Sequence, residues 1–136
     1  MTTTNQTTDR ATLADAIFKV VQHLDWVSFA ELPRRLADAG VNADDLRGEH
    51  TLELAGNVIL WAGLSAELVD TLCGLLSEKR VFLHQATVLT YMVDGGTLTL
   101  PLAKCPPPAG YTRPHWLPAC LRLVPMKPAK PRRAGQ

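Results

Sequence analysis

Residues 57–79, NVILWAGLSAELVDTLCGLLSEK, admit few folds. Val58 to Trp61 is an unbroken apolar run of the kind that a buried strand needs. Gly63-Leu64-Ser65 then turns the chain. Leu68, Leu72, Leu75 and Leu76 follow at helical spacing and predict a helix with one buried face. A strand that runs straight into a leucine-faced helix requires a mixed architecture in which sheet and helix share a core.

Ser65 at this junction has three readings. A nucleophile elbow needs Gly-x-Ser-x-Gly, and Glu67 stands where the second glycine belongs. A nucleic-acid-reading helix that starts here would need cations, yet Glu67, Asp70, Thr71, Ser77 and Glu78 are its outward residues. An ordinary cap needs only a hydroxyl before the first turn, with Glu67 favouring the positive end of the helix. The cap is the reading we adopt.

Upstream, Leu13, Ile17, Val20, Val21 and Leu24 recur at helical spacing and predict a first helix over 11–24. Ser28 and Glu31 have capping-box spacing ahead of Leu32 and Leu36, and Gly40 sits where that second helix ends. Pro33 suits a helix only in its first turn, so this one is expected to begin near Leu32. A polar connector, VNADDLRGEH, has room for one helical turn. Two short strands then flank a turn at Ala55-Gly56-Asn57.

Beyond Lys79-Arg80 the hydrophobic period falls to two. VFLH and VLTYMV are rich in β-formers, Asp94-Gly95-Gly96 is a hairpin-turn signal, and TLTLPL alternates leucine with threonine. We therefore expect a hairpin over 88–102. Five prolines from Ala103 through Pro118 rule out a regular ladder there. Trp116, Leu117, Leu121 and Leu123 are nevertheless apolar enough to fold back as a strap, with Pro118 placed to open a short helical segment.

This order of helix, short strand, helix, further helix and closing hairpin resembles the winged helix-turn-helix superfamily over residues 11–103. The resemblance lies in element order and carries no diagnostic motif. It implies an α+β, winged-helix-like fold of three main helices with β-hairpins and a Pro-rich C-terminal strap. It departs from the pattern where residues 41–64 separate the second and third helices. The expected organisation is a polar tail (1–10), the domain (11–104), the strap (105–125) and a basic tail (126–136).

Charge is strongly segregated. Residues 1–94 hold seven Lys/Arg against thirteen Asp/Glu, whereas residues 95–136 hold seven Lys/Arg and no acid. Lys127, Lys130, Arg132 and Arg133, spaced by prolines, suit phosphate contact without base reading. Arg34, Arg35 and Arg113 are further candidate phosphate ligands; Arg34 and Arg35 have a bland alternative in pairing with Glu31 or Asp38. Tyr111, His115 and Trp116 are candidates for a protein interface or for base stacking. Trp116 has the alternative of packing into the core, and the tail that of aiding solubility.

Cys105, His115 and Cys120 match no common zinc spacing, and Cys73, beside the leucine stripe, reads as a buried hydrophobe. No phosphate loop, ligand cluster or paired acid and base is visible. The expectation is a non-enzymatic protein without cofactor or metal. Three cysteines without a secretion signal point to a cytoplasmic location. No apolar run approaches the roughly 18 residues of a membrane span. The expected partner is nucleic acid. The rival is a protein-interaction module, as an adaptor or a homodimer.

Overall fold

Helix α1 (Arg10–Leu24) lays Leu13, Ile17, Val20 and Val21 into the core, the stripe that its 3.6-residue period dictates. The computed structural model describes residues 10–103 and 109–125, and in these the chain is α+β. After α1 come β1 (Val27–Ser28) and α2 (Leu32–Asp38), whose proline falls in the first turn. Ser28 Oγ accepts from the Glu31 amide at 3.1 Å, and Gly40 ends the helix with φ +104°.

A 3₁₀ turn (Ala43–Asp45) is capped by Asn42, which accepts from the Asp44 amide. Strands β2 (Arg47–Leu54) and β3 (Val58–Leu64) then form an antiparallel hairpin. Its turn holds Gly56 and Asn57 at φ +81° and +63°, the left-handed values that a tight hairpin demands. Helix α3 (Ala66–Ser77) follows, then β4 (Phe82–Gln85), α4 (Val88–Asp94), β5 (His115–Trp116) and β6 (Ala119–Arg122).

Two three-stranded sheets result. One has the order β1-β6-β4, all antiparallel, with Val27 opposite Leu121 and His84 opposite Cys120. The other has the order β2-β3-β5, with β5 parallel to β3. The last of the described strands is thus the middle strand of the first sheet. The sheets meet at a ring cluster. Tyr91 lies 5.0 Å from Trp61 and 5.1 Å from Trp116, centroid to centroid. The Tyr91 hydroxyl donates to the Ala119 carbonyl and accepts from the Phe29 amide, while Trp116 Nε1 donates to the Leu60 carbonyl.

Four expectations are corrected. Val88–Asp94 is a helix, not the first arm of a hairpin, and Gly95 (φ +113°) is its left-handed cap. Alternation over VLTYMV would give a strand no polar face, whereas a helix turns Tyr91 inward and is capped by Thr87. Residues 97–101 form no strand, and Leu102 makes a single bridge to Trp116. Pro118 opens a strand, because the edges of β1 and β4 are both satisfied by β6. On α3 the buried residues are Leu68, Thr71, Leu72 and Leu75, so Thr71 points inward and Cys73 is exposed. The Thr71 hydroxyl donates to the Glu67 carbonyl, which lets a polar side chain be buried there.

Candidate interaction site at the first helix–strand turn

Between α1 and β1 the chain turns on two successive residues in the left-handed region, Asp25 (φ +54°) and Trp26 (φ +50°). Neither is glycine, and each such residue costs about 1–2 kcal/mol. Conformations of this kind persist where surrounding groups over-determine them. The Asp25 amide donates to the Val21 carbonyl at 2.8 Å, and the Trp26 amide donates to Asp25 Oδ1 at 3.0 Å. Arg122, at the end of β6, donates from Nε and Nη2 to the two Asp25 carboxylate oxygens, each at 2.9 Å.

The same guanidinium lies 4.3 Å from the centre of the Trp26 ring. The His84 ring meets Trp26 edge-on at 5.3 Å, and His84 Nε2 donates to the Val124 carbonyl at 2.6 Å. Trp26 nevertheless stays 48% exposed. The outcome is an aromatic surface fixed from behind by a forked ion pair and a cation–π contact. The Arg122 hydrogen bonds hold the Asp25 carboxyl below its usual range, and the same pair raises Arg122. The cluster contains no activated nucleophile. What it offers is a rigid ring for stacking.

The sequence-predicted residues lie elsewhere. Arg34 donates to the Asp94 carbonyl at the end of α4, at 3.3 Å. Arg35 pairs with Glu31 at 3.0 Å and lines a groove of about 540 Å³ between α1 and α2, with Val20, His23 and Leu24. Arg113 is exposed near the β2–β3 turn, where its carbonyl accepts from His115 Nδ1. Tyr111 and His115 stack there, centroids 3.7 Å apart and planes 15° from parallel. Asn57 Nδ2 and the Gly56 carbonyl clamp the Tyr111 backbone.

A Cβ on Gly110 would sit 2.6 Å from the Gly56 Cα, so this clamp needs glycine. Trp116 is 1% exposed and belongs to the core. Arg34 and Arg35 thus stand together on α2, whereas Arg113 lies apart from them near the β2–β3 turn. Lys127, Lys130, Arg132, Arg133 and Cys105 lie outside the described residues. The described chain ends at Pro125, next to the residue whose carbonyl His84 holds.

Ser65 Oγ accepts from the Leu68 amide at 3.1 Å, the geometry of a helix cap. Cys120 is buried in the first sheet, and burial pushes its thiol up to about 11, with Asp94 and Glu31 adding to the rise. Sequence reading missed Asp25, Trp26 and Arg122. The only local signal was a helix that ended with no glycine at its cap, and the partner that explains it is 97 residues away. Comparison with protein families, curated proteins and solved structures finds no match for this chain.

Proposed function

We propose that this protein is a non-enzymatic, cytoplasmic, nucleic-acid-associated regulator or accessory factor of winged-helix type. One observation carries the reading. The exposed, rigidly held Trp26 stands beside the point where the chain leaves β6 for Lys127, Lys130, Arg132 and Arg133. A ring for stacking bases, on a chain whose sequence continues past β6 into cations for phosphates, is the combination that single-stranded nucleic acid requires.

The winged-helix reading rests on the order of α1, β1, α2 and α3 followed by strands, and it no longer has the expected 88–102 hairpin as its wing. Duplex reading through α3 is disfavoured by its exposed Glu67, Asp70 and Glu78. Arg34, Arg35 and Arg113 then serve as secondary phosphate contacts.

The test is fluorescence anisotropy of a labelled single-stranded oligonucleotide with the full chain. Four tail contacts give a log–log salt slope of about −3, so affinity drops roughly three-hundredfold between about 20 and 150 mM salt. Removing 126–136 abolishes binding, and Trp26→Ala weakens it by about tenfold or more. Absence of binding at the lower salt, or binding indifferent to salt, would sink the proposal.

The second reading is a protein-interaction module, as an adaptor or a homodimer. It is favoured by the face of α4, where Leu89, Met92 and Val93 are 65%, 62% and 77% exposed. It predicts a mass above the monomer, or a protein ligand, that survives deletion of 126–136.

A further inference from the structure

Trp26 cannot take a ligand on both faces. The Arg122 guanidinium lies over one of them, 4.3 Å from the ring centre, and is held there by its two hydrogen bonds to the Asp25 carboxylate. The His84 ring takes part of the indole edge, its plane 69° from that of Trp26. Trp26 is 48% exposed, and among the described residues no other ring or cation lies against it. The face turned away from Arg122 is therefore the one open to a flat ligand. A base entering on the other side would have to break the fork and strip Asp25 of its partner.

The chemistry of that open face favours some ligands over others. A guanidinium behind the ring draws π density toward itself, so the far face seats a second cation less well. An electron-rich ring suits it better, because ring faces attract according to their charge distribution. The Asp25 carboxylate offsets much of this charge, so the electronic preference is the smaller effect. Contact area is the larger one. Indole is a fused two-ring surface, and dispersion grows with the number of atoms in contact. A two-ring base covers such a surface, whereas a one-ring base leaves part of it wet.

We infer that Trp26 seats one purine base on the face away from Arg122, and that the site prefers purines to pyrimidines. The inference rests on the nucleic-acid reading and adds to it the class of base. Arg122 is a positioning residue, which closes one face and fixes the turn. Preference by stacking strength, without hydrogen-bond readout of base edges, is what such platforms show.

The probes are single strands of about ten nucleotides, abasic except at the centre, which carries guanine, adenine or thymine; a fully abasic strand is the baseline. All four carry the same phosphates and have no neighbouring bases to unstack. Each is titrated into the full chain at low salt. Expected is the order purine, thymine, abasic, with guanine and adenine each bound about threefold more tightly than thymine. Trp26→Ala should bring all four strands to one affinity, and Trp26→Phe, a single ring, should narrow the purine preference while retaining some stacking. Equal binding of guanine and thymine strands by the unaltered protein would overturn the inference and leave phosphate contact standing. So would a preference that survives Trp26→Ala. Failure of every strand to bind would overturn both readings.

Discussion

Asp25 is the residue on which the turn below Trp26 depends. Its carboxyl titrates below the ordinary 3.8 because Arg122 donates two hydrogen bonds to the charged form. A depressed acid contributes stability above its unfolded value and loses it as pH falls through the folded one. The fastening is therefore complete at neutral pH and released only below about pH 4. Near-ultraviolet circular dichroism should show a tryptophan change in that window, and Asp25→Asn should bring the released spectrum to neutral pH. Cys120 is a second residue-scale case. With its thiol near 11 and its side chain buried, iodoacetamide should label a Cys73→Ser/Cys105→Ser variant only after unfolding. Labelling of the native variant at neutral pH would contradict the burial. Local sequence showed neither role, since both depend on neighbours brought in from β6 and from α4.

At the scale of elements, α4 departs furthest from what its sequence suggested. Its β-rich composition was overridden by Tyr91, whose hydroxyl joins β6 to the residue that follows β1 while its ring bridges two tryptophans. Tyr91→Phe keeps the ring but orphans the Phe29 amide, so urea unfolding should show a loss of about 1–3 kcal/mol. For α3 the local signals gave the cap and most of the buried face. Ser65 caps the helix as read, and Leu68, Leu72 and Leu75 are buried, while Thr71 takes the inward place and Leu76 is only partly buried. Ser65→Ala should cost about 0.5–2 kcal/mol, with helix content otherwise retained. A loss near zero would mean that the hydroxyl bond to Leu68 contributes nothing.

For the whole molecule, the order of strands matters more than the order of residues. Because β6 sits between β1 and β4, truncation before Ala119 strips the middle of a sheet and should abolish cooperative thermal unfolding. Deleting 126–136 removes none of the described contacts and should leave Tm within about 2 °C. Amino-acid spacing alone established α1, α2, the β2–β3 hairpin, α3 and the charge asymmetry. Each of these is written in neighbours within one or two turns, where capping, periodicity and turn chemistry act. Three features came from long-range packing: the helical state of Val88–Asp94, the strand at Ala119–Arg122, and the platform at Trp26. Each is held by partners dozens of residues distant, and at that range the identity of a side chain does not specify which other one it will meet.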